Sequence, residues 1–178
     1  LNDFLTNWEA VYGSAPSETS LALRFKGVIK RAYEQTGQRV AILVDEYDKP
    51  MLQAIGNEEL QRVYRSILKP FYGVLKTMDG CIKFALLTGV TKFGKVSVFS
   101  DLNNLNDISM DGRYIALCGM TEEEIHHYFE DDIHQLASAQ GLTYEETCDR
   151  LKESYDGYHF VENSEGIYNP FSLLNTFD

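Results

Sequence analysis

The sequence predicts an α/β fold, in which a parallel sheet is flanked by helices and followed by a helical C-terminal part. Two short apolar runs, Val40–Val44 and Ile82–Leu87, are the main basis for this prediction. Uninterrupted apolar runs of this length are typical of strands that are buried on both faces. Between them, apolar residues recur at helical spacing over residues 60–71, so the segment predicts a strand, a helix and a second, parallel strand.

The segments around these runs complete the predicted order of elements. A first helix is expected over residues 16–37, with Pro16 near its start and Gly37 at its end. Pro70 should end or kink the helix between the strands. Residues 97–109 are rich in Asn, Asp and Ser, which predicts an irregular loop, and residues 114–118 are expected to form a short third strand.

The C-terminal part is predicted to be mainly helical. Thr121 and Glu124 have the spacing of a capping box, and the apolar pattern after them predicts a helix that continues through Leu136. Another helix is expected over 143–155, followed by two short extended pieces around a turn near Gly166. We therefore divide the chain into a core over residues 1–118 and an acidic helical part over 119–178.

Composition and charge exclude several classes of protein. The chain has 178 residues, 44% of them hydrophobic, with 16 Lys and Arg against 27 Asp and Glu. This is ordinary globular usage, and no apolar run is long enough to span a bilayer. The net charge of −11 argues against direct binding of nucleic acid. Residues 121–153 contain 10 acids and 2 bases, a net charge of −8, so a protein partner could bind these acidic helices.

The cysteines and the N-terminus give an expectation about the cellular setting. Cys81, Cys118 and Cys148 are far apart and odd in number, which argues against a disulfide framework and favours the reducing cytoplasm. The first residues do not resemble a signal peptide. The chain begins with Leu1, so we expect these residues to come from inside a larger gene product.

Two adjacent acids follow the first predicted strand. Asp45 and Glu46 come directly after Val40–Val44, and ligands of open parallel sheets bind beyond the carboxyl ends of the strands. In P-loop ATPases this arrangement is the Walker B element, in which the Asp orders the shell of Mg²⁺ and the Glu polarises the attacking water. Two alternatives remain open: a strand that simply ends in solvated acids, and another kind of metal–carboxylate site.

The second predicted strand ends in Thr88, whose hydroxyl could sense a γ-phosphate or could merely terminate the strand. Residues 89–96 then match the phosphate-loop pattern G-x-x-x-x-G-K but have Val96 where Ser or Thr should bind Mg²⁺. The following residues are also poor helix formers, so a true phosphate loop is not favoured here. Lys92 and Lys95 are instead expected near the γ-phosphate or simply on the surface.

Three histidines lie on the acidic helix. His127 and His134 are seven residues apart, with Glu123 and Glu130 at helical offsets, so a divalent metal could bind this face. A solvated charged helix face explains the same residues and is the preferred interpretation.

Four segments in order carry a family resemblance: VAILVDEYDKP, LLTGVTKFGKVSVFSDLNNLNDIS, CGMTEEEI, and YDGYHF with YNPFSLLN. Together they resemble the predicted AAA-ATPase-like family of bacterial proteins. In that family a P-loop ATPase domain is commonly followed by a PD-(D/E)XK nuclease-like domain. The resemblance implies a Walker B role for Asp45 and Glu46, and a sensor role near Thr88. It also implies a partial P-loop NTPase-like sheet whose Walker A loop lies before Leu1.

The resemblance leads to one main hypothesis and two rivals. The main hypothesis is an ATP-driven switch in the full-length protein: Asp45 binds Mg²⁺ through water, Glu46 is the general base, Thr88 senses the γ-phosphate, and Lys92 and Lys95 stabilise transition-state charge. This piece alone should be inactive. The rivals are a degenerate ATPase fold that serves as a scaffold or interaction module, and a metal-dependent nuclease that uses Asp45, Glu46 and Asp48.

Overall fold

The computed structural model describes residues 1–90, 104–158 and 166–177. The chain forms two compact units, Leu1–Leu105 and Asn106–Asp178. The predicted division into a core over residues 1–118 and an acidic helical part of the same domain over 119–178 stays a prediction.

The first unit is a helical layer on one side of a short parallel sheet. Its elements are α1 (Asn2–Tyr12), α2 (Leu21–Thr36), β1 (Val40–Val44), α3 (Lys49–Gln53), α4 (Glu58–Thr77) and β2 (Ile82–Leu87). The strands β1 and β2 are parallel, and α4 lies between them in sequence, so the strand–helix–strand prediction is confirmed, with the predicted bounds for both strands.

The core of this unit lies between the sheet and the helices α2 and α4. Phe25 of α2 stacks on Phe71 of α4, with ring centroids 4.5 Å apart, and Ile42 of β1 is buried in the same cluster. Gly37 ends α2 in the left-handed conformation, with φ of 67°, as the sequence predicted. The start of α2 was predicted too early: Ser20 is the N-cap and accepts a hydrogen bond from the Leu23 N–H at 3.3 Å.

Within the described residues, helices cover one face of the sheet, which corrects the prediction of strands buried on both faces. Val40, Ile42 and Val44 face the core, but Leu43 is 68% exposed and Phe84 is 49% exposed. Among the described residues β1 has a single neighbouring strand, so a central position for it is not seen. The strands read as uninterrupted apolar runs because their second face is apolar as well. No described helix covers that second face.

Two further differences concern α1 and Pro70. The helix α1 was not predicted; its Leu5 is fully buried, and Glu9 receives two hydrogen bonds of 2.7 Å from Arg24 of α2. Pro70 lies inside α4 and does not end it, so the first of the two predicted outcomes, an end or a kink, is wrong, and the second stays a prediction. The residues after Pro70, including Phe71 and Tyr72, are core residues, and their packing holds the helix together across the missing hydrogen bond.

The second unit consists of small helices and a two-stranded antiparallel sheet. Its elements are α5 (Glu122–Tyr128), α6 (Glu130–Gln140), α7 (Tyr144–Tyr155), β3 (Asp156–Tyr158), β4 (Ile167–Tyr168) and α8 (Pro170–Phe177). Ile133 and Leu173 are fully buried at its centre. The predicted capping box of Thr121 and Glu124 is confirmed, with both reciprocal hydrogen bonds present.

Two predictions for this unit are wrong. Residues 114–118 form a 3₁₀ turn and further turns, not a strand. The helix that begins after Thr121 does not continue through Leu136, because it ends at Tyr128 and α6 begins at Glu130, with Phe129 between them. Among the described residues no helix is long and apolar enough to cross a bilayer.

Candidate functional site

Asp45 and Thr88 lie side by side at the carboxyl end of the parallel sheet. Val44 and Leu87 are paired in register, so the next residue of each strand leaves the sheet at the same point. Two backbone hydrogen bonds extend the pairing: the Thr88 N–H donates to the Val44 carbonyl at 2.9 Å, and the Tyr47 N–H donates to the Thr88 carbonyl at 3.0 Å. The two acids and the threonine are therefore held on one edge, where parallel sheets bind ligands.

The side chains of Asp45 and Thr88 are in direct contact. The Thr88 hydroxyl donates to Asp45 Oδ1 at 2.5 Å, and the Glu46 N–H donates to the same oxygen at 2.9 Å. The residue Asp45 is exposed, and within residues 1–90, 104–158 and 166–177 its Oδ2 accepts no hydrogen bond. One carboxylate oxygen is thus fixed by the protein.

Glu46 has a strained backbone and a side chain that faces a lysine. Its φ is 51°, in the left-handed region that residues with a Cβ rarely adopt. Its Oε2 lies 2.6 Å from Lys49 Nζ at the start of α3, and the hydrogen bond to Glu46 is the main cause that raises the pKa of Lys49. Lys49 was not singled out in the sequence, although its position three residues after Glu46 allowed the contact.

Asp48 is the buried acid of this segment. It is 1% exposed, and its Oδ2 accepts a hydrogen bond from the Val90 N–H at 3.1 Å. Of the hypotheses based on the sequence, only the nuclease hypothesis assigned Asp48 a role. The signal that could have revealed it is the spacing of the acids: Asp48 ends the turn that Asp45 begins, and an acid at the start of a helix is common.

Two tyrosines pack behind the turn. Tyr47 and Tyr72 are both nearly fully buried, and the Tyr72 hydroxyl lies 3.4 Å from the Tyr47 carbonyl, a long and weak hydrogen bond. Burial is the main cause that raises the pKa of Tyr72 to about 12, with a further contribution from the charge of Asp48. The site therefore rests on a layer of two packed tyrosines.

The chemistry of the exposed edge fits a magnesium–phosphate ligand. Mg²⁺ commonly binds one or two carboxylates while it keeps waters and substrate phosphates, and a hydroxyl can donate a hydrogen bond to a phosphate oxygen. Among the described residues no group of three or more His, Cys, Asp or Glu side chains could hold a metal by itself. The nuclease hypothesis, which needs Asp45, Glu46 and Asp48 on one ion, is not supported by this arrangement, since Asp48 turns inward.

Some of the predicted site residues cannot be placed. Lys92, Lys95 and most of the phosphate-loop match at 89–96 lie outside the described residues. Of that match, only Gly89 and Val90 are described. The structure therefore brings Asp45 and Thr88 together, and Glu46 follows Asp45 in the chain. The positions of both lysines stay predictions.

A second group of chemically active side chains lies in the second unit. His126 Nδ1 is 2.8 Å from the Tyr144 hydroxyl, and the ring of His134 lies 4.7 Å from the Tyr144 ring. These side chains line an open groove of about 550 Å³ together with Glu130, Thr143 and Glu145. Burial is the main cause that raises the pKa of Tyr144.

The prediction that His127 and His134 share one face of a single helix is wrong. The break at Phe129 changes the direction in which residues on its two sides point, so His126, not His127, faces the groove. His127 instead packs edge-on against the neighbouring Tyr128 ring.

Comparison with known proteins identifies the family. The family model described as "Predicted AAA-ATPase" matches residues 1–99, more than half of the chain. The chain belongs to the predicted AAA-ATPase family. The match includes β1, β2 and the acid pair between them, so the resemblance inferred from the sequence motifs is confirmed at the level of the family.

A relative from Azotobacter chroococcum mcd 1 extends the similarity to the C-terminal unit. It is described as "Uncharacterized protein in vnfD 5'region" and is 41% identical over 175 residues. The aligned region covers 98% of this chain and 32% of the relative, so the chain spans about a third of the length of that protein. No solved structure gives a significant match.

Proposed function

We propose that these residues form part of a magnesium-dependent ATPase domain that acts as a molecular switch in the full-length protein. The observation that supports this most directly is the hydrogen bond between Thr88 and Asp45 across two neighbouring parallel strands. An ATPase of this type needs a carboxylate that orders Mg²⁺, which we assign to Asp45. It also needs a hydroxyl that responds to the γ-phosphate, which we assign to Thr88.

Asp45 would hold Mg²⁺ through an intervening water, whose hydrogen bond its Oδ2 would accept. Its Oδ1 is already fixed by Thr88 and by the Glu46 N–H, so the carboxylate is oriented before any ligand arrives. Bound Mg²⁺ neutralises the charge that develops on the phosphates. If the Thr88 hydroxyl turned towards a bound phosphate, its hydrogen bond to Asp45 would be lost. The positions of Asp45 and Glu46 would then depend on which nucleotide is bound.

Glu46 would act as the general base that orients and polarises the attacking water. In the structure it is paired with Lys49, and both side chains are about half exposed. An exposed ion pair contributes only about 0–1 kcal/mol, so Glu46 can exchange Lys49 for a water at small cost. Lys92 and Lys95, in the segment after β2, are proposed to stabilise charge in the transition state.

We propose that another part of the full-length polypeptide supplies the phosphate-binding loop. Residues 1–178 contain no complete G-x-x-x-x-G-K-[ST] sequence. We therefore expect this chain alone to bind ATP weakly and not to hydrolyse it. Its length relative to the Azotobacter protein leaves room for such a loop in a longer gene product.

Two substitutions at Thr88 test the proposal in the full-length protein. Thr88→Val removes the hydroxyl but keeps the shape, and we expect ATP turnover to fall by about 10²-fold, as for other positioned groups of an active site. Thr88→Ser keeps the hydroxyl and should retain most of the turnover. Equal turnover in the two variants would show that the Thr88 hydroxyl has no part in the reaction.

A second candidate function is a scaffold or interaction module that binds a basic partner. It is favoured by the groove around Tyr144, which has carboxylates at Glu130 and Glu145 and lies in a segment with a net charge of −8. An arginine side chain could stack on the tyrosine ring and pair with these carboxylates.

Calorimetry with a hexa-arginine peptide tests this second candidate. The double variant Glu130→Gln/Glu145→Gln should weaken binding more than Glu123→Gln/Glu153→Gln, which removes the same charge from exposed positions of α5 and α7 outside the groove. Equal weakening would indicate nonspecific attraction to an acidic surface.

A further inference from the structure

Asp48 joins two turns that leave the sheet at the same end. One turn follows β1 and contains Asp45 and Glu46; the other follows β2 and begins with Thr88 and Gly89. The Asp48 carboxylate belongs to the first turn and accepts a hydrogen bond from the Val90 N–H of the second. This contact spans 42 positions of sequence and lies next to the acid pair.

The backbone of Asp48 is itself fixed. Its carbonyl accepts hydrogen bonds from the N–H groups of Met51 at 2.9 Å and Leu52 at 3.0 Å, at the start of α3. The side chain is 1% exposed, and a carboxylate is buried this deeply only when donors compensate its charge. A fixed backbone and a buried charge make Asp48 a firm attachment point.

Gly89 allows the second turn to approach this carboxylate. A Cβ at residue 89 would lie 2.5 Å from Asp48 Oδ1 and 2.7 Å from the ring of Tyr47. Both distances are well inside van der Waals contact, and Tyr47 is buried and has little room to move. Only a residue without a side chain permits the observed approach.

We propose that Asp48 is a positioning residue that latches the turn after β2 onto the turn after β1, and that Gly89 is required for the latch. The latch fixes Val90, the last described residue before the segment with Lys92 and Lys95, and it holds Thr88 next to Asp45. The part of this inference that concerns catalysis rests on the proposed ATPase function. The latch itself does not.

The latch is tested first without nucleotide. In ¹⁵N NMR spectra of the 178-residue chain, Asp48→Ala should make exchange of the Val90 amide with solvent about ten- to hundredfold faster, as expected for loss of a hydrogen bond to a charged group. Gly89→Ala should have the same effect through the clash. An unchanged Val90 amide in both variants would overturn the latch.

The catalytic consequence is tested by ATP turnover and Mg-ATP binding of the full-length protein. Asp48→Ala and Gly89→Ala should each lower kcat by about 10²-fold, while the Kd for Mg-ATP changes by less than about threefold, because the proposed mechanism assigns neither residue a contact with the nucleotide. A combined variant should be little worse than either single change. Unchanged kcat with a disturbed Val90 amide would overturn the positioning role.

Matched controls come from the opposite end of β2. Asp79 is exposed, and a Cβ at Gly80 would meet nothing within 4 Å, so Asp79→Ala and Gly80→Ala should leave both measurements unchanged. If Asp48→Ala fails to fold, Gly89→Ala and Asp48→Asn provide the same readouts. If the wild-type protein shows no ATP turnover while the Val90 result holds, the proposed function fails and the latch stands.

Discussion

Backbone strain at Glu46 marks the residue to which the proposed mechanism assigns the chemistry. A residue with a Cβ in the left-handed region costs roughly 1–2 kcal/mol compared with ordinary backbone. Its φ of 51° persists because Asp45, on one side, is bonded to Thr88 and Tyr47, on the other, is buried and bonded to the same threonine. Such strain is often found where a side chain must be aimed at a ligand.

A comparison of two substitutions separates this strain from the ion pair with Lys49. Glu46→Gly and Glu46→Ala both lose the pair, but only glycine removes the Cβ. We expect Glu46→Gly to be about 1 kcal/mol more stable than Glu46→Ala in urea denaturation. If the alanine variant were the more stable of the two, the backbone at Glu46 would not be strained.

The buried phenol of Tyr72 predicts a loss of stability in alkali. Its pKa is raised to about 12, so on unfolding the phenol regains an ordinary value near 10. The neutral, buried form contributes its full stability below pH of about 10, and this contribution is lost as the pH rises through about 12. Tyr72→Phe should therefore lose less stability than the wild type between these pH values. Parallel curves would contradict the raised pKa.

At the level of elements, the sheet is asymmetric. Its inner face contributes Ile42 and Ile82 to the core, whereas Leu43 and Phe84 point away from that core and remain exposed. Both faces of these strands are apolar, but the described residues cover only the inner face. The strands could therefore be predicted correctly from the sequence, while their burial was overestimated.

This asymmetry can be measured as the loss of unfolding free energy when a phenylalanine from either face is replaced by alanine. Phe71→Ala removes a ring that is 3% exposed and should destabilise the 178-residue chain by about 3–5 kcal/mol. Phe84→Ala should cost less than about 1 kcal/mol, because the ring already contacts water. Similar losses in urea denaturation would mean that the outer face of the sheet is covered.

Local signals explain which elements could be predicted. The apolar runs of β1 and β2, the glycine at residue 37 and the Thr121 capping box are read directly from neighbouring residues, and the structure confirms them. The helix α1 was missed because its anchors are the fully buried Leu5 and side chains that bond to Arg24 of another helix. The break at Phe129 was missed because the apolar pattern continues across it.

The site was predictable in part for the same reason. Asp45, Glu46 and Thr88 follow strands that the sequence reveals, so their shared edge could be expected. The inward turn of Asp48 and the pairing of Glu46 with Lys49 depend on backbone angles after the strand, such as the positive φ of Glu46. The spacing of these residues allows both contacts but does not determine those angles.

At the scale of the whole molecule, the family match and the strongly acidic segment lie in different parts of the chain. The family match over residues 1–99 lies within the unit Leu1–Leu105, which holds the acid pair and the threonine. The strongly acidic segment 121–153 lies in the other unit, with the groove around Tyr144. An ATPase function and a partner-binding function can therefore be tested with separate substitutions.

The most direct test of the central claim is Glu46→Gln in the full-length protein, assayed for Mg-ATP binding and for phosphate release. Because the amide keeps the size of the side chain but cannot accept a proton, we predict binding within about threefold of wild type and turnover reduced by at least about 10²-fold. Glu58→Gln, which changes an exposed acid at the start of α4, should leave both unchanged. Undiminished phosphate release by Glu46→Gln would contradict the account.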